Sequence, residues 1–283
     1  MRVCIRVFGI VQGVGFRPTV KRHADACDIA GSVSNKGPYV EIFAEGSEEC
    51  VNSFIKQIQE EPPKRAVILK LDVENVESGE DGIHKVESET DSKEKFQIIE
   101  SEKEEGEIFV SPDIAICPEC KKELYDKNDR RYLHPFINCT CCGPRLTILD
   151  SMPYDRVRTS MGEFPMCEKC EYEYTHAETR RFDAQPVCCN DCGPEVYLLG
   201  RKERGANAIR YTRKVISEGG IVAVKGIGGF HLCCDAAKEE TVARLRQRKK
   251  RPMKPFAVMM KDLDVVRREC ETEPHLEEIL DGH

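Results

Sequence analysis

The chain has 283 residues, of which 40% are hydrophobic and 33% are charged, and its formal net charge is −7. This length exceeds what one hydrophobic core usually holds, so we expect two or more domains. The chain shows no apolar run near the roughly 18 residues that span a bilayer and no basic-then-apolar leader, so we expect a cytoplasmic protein without a membrane partner.

Residues 1–101 alternate between strand and helix patterns. Strand patterns occur at RVCIRVF, AGSVSN, YVEIFAE and AVILKLDV, and helix patterns cover about 17–28 and 47–60. The resulting order, βαββαβ, predicts a ferredoxin-like antiparallel sheet with two helices on one face. The segment FQIIES at 96–101 is expected to add an edge strand.

A glycine-rich turn, VQGVGF, separates the first strand pattern from the first helix pattern. Glycine frees backbone amides to surround an anion, and Arg17 offers a guanidinium that binds phosphate through two bonds. Pro18 predicts a helix start beside them. We therefore predict a phosphate-binding loop, although a plain strand-to-helix connection is the alternative. The loop residues are Val11, Gln12, Gly13, Val14, Gly15 and Phe16.

Charge is unevenly distributed along the chain. Residues 74–107 contain thirteen acidic residues and four lysines, which predicts a solvated spacer. Residues 244–254 carry seven positive charges and no acid.

Two cysteine-rich repeats lie fifty residues apart, and each has the spacing C-x2-C-x18-C-x2-C. This spacing is typical of four-cysteine zinc sites, which leave no open position for catalysis, so we predict two structural Zn²⁺ ions. Disulfides are the alternative, and which pairs share a metal stays open. Gly143 and Gly193 are expected to adopt positive φ, whereas Cys141 and Cys188 break the spacing and are not expected to bind metal. The predicted ligands are Cys117, Cys120, Cys139, Cys142, Cys167, Cys170, Cys189 and Cys192.

The last eighty or so residues show the alternating helix and strand patterns of an α/β domain. A helix pattern (ANAIRYTRKVISE) precedes an expected buried strand (IVAVK), a glycine-rich loop and a helix over about 236–249. This is few residues for an α/β domain, so we expect an incomplete unit.

The first stretch resembles the acylphosphatase signature, because VQGVGFR is followed by G-x-V-x-N eighteen residues after its arginine. The resemblance implies that Arg17 holds the substrate phosphate and that Asn35 orients the attacking water. Such groups allow in-line attack on an acyl phosphate without a protein base. The alternative for Asn35 is a turn residue ahead of Lys36-Gly37.

The order of the three segments resembles the HypF family of carbamoyltransferases, which serve nickel–iron hydrogenase maturation. The phrases CPEC, NDRRY, HPFINCT, CGPR, MPYDR, RRFDAQPV and KGIGGFHL all fit it. The resemblance implies an α+β multidomain chain with an acylphosphatase-like domain at 1–101 and tandem zinc-finger modules at 107–197, with metal sites over 117–142 and 167–192. A truncated YrdC-like α/β nucleotide-binding domain would follow at 203–283.

The same resemblance implies a reaction path. Carbamoyl phosphate would be hydrolysed at the first domain, the complete protein would form carbamoyl adenylate from ATP with Mg²⁺, and the carbamoyl group would pass to the C-terminal cysteine of HypE. Full transfer is not expected from this chain without missing C-terminal domains or a companion chain, so we expect a fragment or a split gene. The residues expected at nucleotide phosphates are Lys225, Arg248, Arg251 and Lys254.

Two other functions fit parts of the sequence. A free-standing acylphosphatase with structural zinc modules is one. A non-enzymatic zinc-ribbon protein that binds nucleic acid is the other, but the net charge of −7 and the absence of tryptophan argue against that partner.

Overall fold

The computed structural model describes residues 1–76, 95–102, 109–226 and 228–280. The predicted acidic spacer lies largely outside these ranges. The chain divides into two compact units, Met1–Lys121 with Phe136–Gly193, and Lys122–Pro135 with Pro194–His283. Within the described ranges, no helix combines the length and apolar character needed to cross a membrane.

The first unit contains a five-stranded sheet in the order β4-β1-β3-β2-β5. The first four strands pair antiparallel, and β5 runs parallel to β2. The elements are β1 (Arg2–Ile10), α1 (Phe16–Ala26), β2 (Ala30–Asn35), β3 (Tyr39–Glu45), α2 (Glu48–Glu60), β4 (Val67–Asn75) and β5 (Phe96–Ile98). The predicted βαββαβ order and the additional edge strand are both confirmed.

Apolar side chains from the sheet and its two helices form one core. Ile5 of β1 lies opposite Ile42 of β3, and both side chains are fully buried. Phe54 of α2 meets Phe96 of β5 with ring centroids 6.1 Å apart, so the edge strand is fastened to the same core. Burial of aromatic side chains of this size contributes much of the hydrophobic stabilisation of a small sheet domain.

The first helix begins two residues earlier than the position of Pro18 predicts. Gly15, with φ 78°, is its N-cap, and Phe16 is its first residue. Pro18 is therefore the third helical residue, where its missing N–H costs nothing because first-turn amides have no intrahelical acceptor. Arg17 lies in this first turn and thus beside the glycine-rich loop.

Two short helices organise the cysteine repeats. Helix α3 (Pro118–Tyr125) starts directly after Cys117, and α4 (Glu168–Thr175) starts directly after Cys167. Each helix carries the second cysteine of its pair three residues further on. One turn of helix thus brings both sulfurs of a pair to the same side.

The second unit contains α5 (Gly205–Ser217), β6 (Val222–Lys225), β7 (Phe230–Cys233), α6 (Glu239–Lys249), α7 (Leu263–Glu269) and α8 (Pro274–Leu280). The prediction that IVAVK is a strand is confirmed, but the prediction that it is buried is wrong. Strand β6 pairs with β7 in a two-stranded antiparallel sheet, and Val224 is 42% exposed. Two strands cover each other's edges but not each other's faces, which explains the exposure.

Candidate active site and metal centres

The loop between β1 and α1 presents a run of unused backbone amides. Gly13 and Gly15 have φ of 70° and 78°, values in the left-handed region that glycine tolerates without strain. Among the described residues, no group accepts a hydrogen bond from the amides of residues 12–15. Backbone amides without a protein acceptor are available to an anion, so this run of donors is a candidate anion site.

Arg17 is buried against the same loop. Its Nη1 donates to Ser101 Oγ at 3.2 Å and to Asp155 Oδ1 at 3.0 Å, and its Nε lies 3.1 Å from Asp183 Oδ2. Burial alone would lower the pKa of Arg17, but the carboxylates of Asp183 and Asp155 outweigh it, so the pKa is raised. The guanidinium therefore stays charged beside the loop.

Asn35 is the last residue of β2 and is 1% exposed. Its Oδ1 is buried and lacks a hydrogen-bond partner among the described residues. An amide oxygen in this situation is available to accept a hydrogen bond from a water molecule. The role of Asn35 in orienting water stays a prediction.

These groups surround one cavity of about 20 Å³. That volume accommodates about one water molecule. The wall includes loop residues, Arg17, Asn35 and residues of the cysteine-rich segment. Its members are Val11, Gln12, Gly13, Gly15, Phe16, Arg17, Pro18, Asn35, Thr140, Arg145, Tyr154, Asp183, Ala184, Gln185 and Pro186.

Two contacts fasten the loop to the cysteine-rich segment. Arg145 Nε donates to the carbonyl oxygen of Gly13. Gln12 Oε1 accepts from the amide of Tyr154 at 3.2 Å, and Gln12 Nε2 donates to Gly37 O at 2.8 Å. The loop conformation therefore depends on side chains far along the chain as well as on its own glycines.

Each cysteine repeat gathers its own four sulfurs, all within 4.8 Å of one another. In the first, Cys139 Sγ lies 3.8 Å from Cys117 Sγ and 3.6 Å from Cys142 Sγ; in the second, Cys189 Sγ lies 3.8 Å from both Cys167 Sγ and Cys192 Sγ. Zinc–sulfur bonds of about 2.3 Å in a tetrahedron require sulfurs about 3.8 Å apart. Both clusters fit a structural metal, and the pairing that the sequence left open is within each repeat.

Donors from the protein surround the first cluster. Arg180 Nη1 lies 3.2 Å from Cys120 Sγ, and the amide of Cys141 lies 3.3 Å from Cys139 Sγ. Such contacts offset the negative charge of four thiolates. Arg180 belongs to the second repeat, so the second repeat helps to complete the first metal centre.

The prediction of positive φ is confirmed for Gly143, at 103°, and is wrong for Gly193. Gly193 needs glycine for a different reason. A Cβ there would lie 2.8 Å from Cys188 Cβ and 2.9 Å from Cys188 Sγ. The tight approach of a buried cysteine, rather than a left-handed backbone, excludes a side chain.

The four candidate nucleotide residues lie in the second unit. Lys225 ends β6 and has its Nζ 5.5 Å from the centre of the Phe230 ring, whereas Arg251 contacts the Phe256 ring at 5.4 Å. Arg248 is exposed on α6, and Lys254 is exposed beyond it. Within the described residues, no hydrogen bond, ion pair or ring contact joins Lys225 to the other three. Their role as a nucleotide site therefore stays a prediction.

Sequence reasoning missed the contacts that Arg145 makes to the loop and that Asp155 and Asp183 make to Arg17. These residues occur in CGPR, MPYDR and RRFDAQPV, phrases that supported a family resemblance without a role for any one residue. The contact between Arg17 and Asp155 joins positions 138 residues apart. One sequence signal existed, since Asp183 stands where the first repeat has Leu133.

Comparison with known families matches all three segments. An acylphosphatase model matches residues 3–97, and a HypF finger model matches residues 116–149 and 166–199. A model described as telomere recombination, the Sua5/YciO/YrdC type, matches residues 214–282. The fold and the sites thus define an acylphosphatase-type domain followed by paired four-cysteine fingers and a YrdC-type segment.

The chain is 52% identical over 266 residues to a probable carbamoyltransferase HypF of Methanocaldococcus jannaschii, covering 92% of this chain and 33% of that protein. It is similar to a crystal structure of full-length HypF in the phosphate- and nucleotide-bound form, with TM-score 0.87 and 45% identity, over 99% of this chain and 36% of that one. An acylphosphatase of Caldivirga maquilingensis is 46% identical over 83 residues, which is 29% of this chain and 86% of that protein. Over more than nine-tenths of its own length the chain is thus similar to HypF proteins, and it spans about a third of the length of these curated relatives.

Proposed function

We propose that this chain hydrolyses small acyl phosphates, carbamoyl phosphate in particular, at the loop of residues 11–16. The observation that carries the proposal is the run of loop amides at 12–15, which have no acceptor in the described part of the chain, beside Arg17 and Asn35 on one cavity. Relatives named as carbamoyltransferases support a carbamoyl substrate.

The mechanism follows from these groups. The loop amides and Arg17 bind the phosphoryl oxygens, where negative charge must be stabilised as the phosphorus–oxygen bond to the acyl group breaks. Asn35 Oδ1 holds a water molecule for in-line attack on phosphorus. The acyl oxygen leaves with the bonding electron pair as a carboxylate, or as carbamate when the acyl group is carbamoyl, and inorganic phosphate forms. No protein base is needed for a leaving group of this acidity.

The test is steady-state hydrolysis of carbamoyl phosphate by wild type, Arg17→Ala and Asn35→Ala. We expect each substitution to lower kcat/KM by at least about 100-fold, because each removes a preorganised group that acts in the transition state. Arg22→Ala and Asn52→Ala are matched controls, since both side chains are exposed on helices of the same domain. Metal content is measured on every sample.

Two results would contradict the proposal. One is wild-type hydrolysis no faster than that of Arg17→Ala at full metal content. The other is equal loss in Arg22→Ala, which would mean that positive charge on α1 matters rather than the position of Arg17.

We also propose that the metal in both clusters is Zn²⁺, because four thiolates and a tetrahedral spacing are the donor set that zinc prefers. Reduced thiolates persist in a reducing compartment, which supports a cytoplasmic location. Metal analysis of the purified chain tests the first proposal, and two equivalents of zinc are expected.

The later steps of the family's reaction are proposals for a longer protein. They are formation of carbamoyl adenylate from ATP with Mg²⁺, with phosphates held by Lys225, Arg248, Arg251 and Lys254, and transfer to HypE. The support is the YrdC-type match at 214–282 and a relative described as nucleotide-bound. We propose that these steps need the part of the relatives that this chain does not match. ATP turnover by this chain alone in the presence of carbamoyl phosphate would contradict that.

A further inference from the structure

Two carboxylates from the cysteine-rich segment hold the guanidinium of Arg17. Asp155 Oδ1 lies 3.0 Å from Nη1, and Asp183 Oδ2 lies 3.1 Å from Nε. The side chains of Arg17, Asp155 and Asp183 are 9%, 18% and 11% exposed. Salt screens such pairs little, so the two contacts fix the plane of the guanidinium.

Each carboxylate is held by a second contact on its other oxygen. Asp155 Oδ2 accepts a hydrogen bond from Arg158 Nη1 at 3.0 Å, and Asp183 Oδ1 accepts one from Gln185 Nε2 at 2.7 Å. Both aspartates are therefore positioned independently of Arg17. This is the arrangement of a preorganised support rather than of two flexible counter-ions.

The geometry of the repeat does not require an acid at position 183. Asp183 has φ 55°, and Leu133, fifty residues earlier at the equivalent position, has φ 53°. Since the same left-handed backbone accepts leucine, the carboxylate of Asp183 is not needed for the turn. Its contacts to Arg17 and Gln185 supply the reason for it.

The aspartates also restrict how phosphate can bind. Arginine normally binds phosphate with two nitrogens. Here Nε and Nη1 face carboxylates, and within the described residues Nη2 of Arg17 has no hydrogen-bond partner. A phosphate at Nη2 would therefore be bound by one nitrogen and repelled by two neighbouring negative charges.

We propose that Asp155 and Asp183 are positioning residues for Arg17, which hold its guanidinium by two nitrogens, leave Nη2 for the phosphoryl group and weaken the binding of phosphate in the ground state. This inference rests on the proposed acyl phosphate hydrolysis. Weak binding of the dianionic product allows its release, while the fixed guanidinium remains ready for the transition state. The cysteine-rich segment thus supplies part of the phosphate site.

The test compares wild type, Asp155→Asn, Asp183→Asn and the control Asp150→Asn, an exposed aspartate of the same segment. Binding of inorganic phosphate is measured by titration calorimetry, and kcat is measured with carbamoyl phosphate. We expect either site variant to bind phosphate about tenfold more tightly, because a repelling charge is removed. We expect kcat to fall about tenfold, because Arg17 loses a fixed contact. The control should change neither value.

If the aspartates had a merely structural role, their substitution would weaken phosphate binding and lower kcat together. The inference is therefore overturned if the phosphate affinity of the two site variants falls or stays unchanged at full metal content. Should Asp183→Asn fail to fold, Asp155→Asn gives the same decision, since its carboxylate is the more exposed of the two. Wild type that hydrolyses no acyl phosphate would refute the proposed function alone. The phosphate affinities of the variants would still decide the role of the aspartates.

Discussion

Arg145 contacts backbone oxygens both in the loop of residues 11–16 and in the first cysteine repeat. It is 2% exposed and donates to the carbonyl oxygens of Gly13, Pro144, Thr140, Cys139 and Cys142. The oxygens of Pro144, Cys139 and Cys142 also accept from another group, whereas Gly13 O and Thr140 O have no other donor among the described residues. Such carbonyls cost free energy when their donor is removed.

Replacing Arg145 by alanine should lower the free energy of unfolding by about 3 kcal/mol or more, because a buried side chain and several hydrogen bonds are lost together. Denaturant unfolding with metal present measures it. Arg210→Ala is the control, since that arginine is exposed on α5. Its substitution should lower the free energy of unfolding by less than about 0.5 kcal/mol. Equal losses in the two variants would contradict the role of Arg145.

Gly15 combines two demands at one residue. Its φ is 78°, and a Cβ there would lie 2.7 Å from Thr140 Cγ2. Gly200 has a similar φ of 76°, but a Cβ there would meet nothing within 4 Å among the described residues. The two glycines therefore share a left-handed backbone and differ in what a side chain would contact.

Gly200→Ala should lower the free energy of unfolding by about 1 kcal/mol, the cost of a left-handed alanine, and Gly15→Ala by more, because its methyl group also meets Thr140. Only Gly15→Ala should also abolish acyl phosphate hydrolysis, because the added methyl group displaces the loop from Thr140. Thermal unfolding and the hydrolysis assay on the same samples separate the two effects. Full activity in Gly15→Ala would show that the loop tolerates this displacement.

At the scale of the elements, the strands of the sheet differ in what they cover. Strand β3 lies inside the sheet, and Ile42 on it is fully buried. Strand β4 lies at an edge, and Leu69 on it is 60% exposed. The same type of substitution should therefore have different costs on these two strands.

Ile42→Ala should lower the free energy of unfolding by about 2–5 kcal/mol, because buried surface is lost and a cavity is left. Leu69→Ala should lower it by less than about 0.5 kcal/mol. Denaturant unfolding of both variants measures the difference. Similar losses would mean that the core extends over β4, contrary to the burial seen here.

Elements whose signals are local could be predicted from the sequence. The strand and helix order up to residue 75 follows from apolar periodicity, and the metal ligands follow from cysteines three residues apart. The burial of β6 could not be predicted correctly, because an apolar run reveals a strand but not what covers it. The position of Pro18 was misleading because a proline fits any residue of a helix's first turn.

Contacts between distant segments were beyond the reach of one sequence. The presence of Arg17 and Asn35 in one site could be suggested by resemblance, but the ion pair of Arg17 with Asp183 crosses from the first domain to the second cysteine repeat. No pattern of spacing encodes such a pair. The second repeat has Asp183 where the first has Leu133, and this difference is visible in the sequence. It does not reveal that Arg17 is the partner of Asp183.

At the scale of the whole molecule, two four-cysteine clusters lie in the described part of the chain, and each is expected to bind one ion. Cys120→Ser removes one of four sulfurs of the first cluster and should reduce the metal content from two ions to one per chain. Cys141→Ser is the matched control, because that cysteine is a neighbour of the cluster but not a member of it, and two ions should remain. Metal analysis after gel filtration measures both, and loss of an ion in Cys141→Ser would contradict the ligand assignment.

Arg145 donates hydrogen bonds to the carbonyl oxygens of Cys139 and Thr140 in the first cysteine repeat and to that of Gly13 in the loop. We expect this connection to make the loop sensitive to oxidation of the cluster in that repeat. Oxidation of cluster thiolates to sulfenic acid would remove metal ligands, and without the metal the turn that presents those two carbonyls would lose its support. The anchor of Gly13 is then lost as well. Acyl phosphate turnover should therefore decline in step with sulfur oxidation, although the loop at 11–16 contains no cysteine.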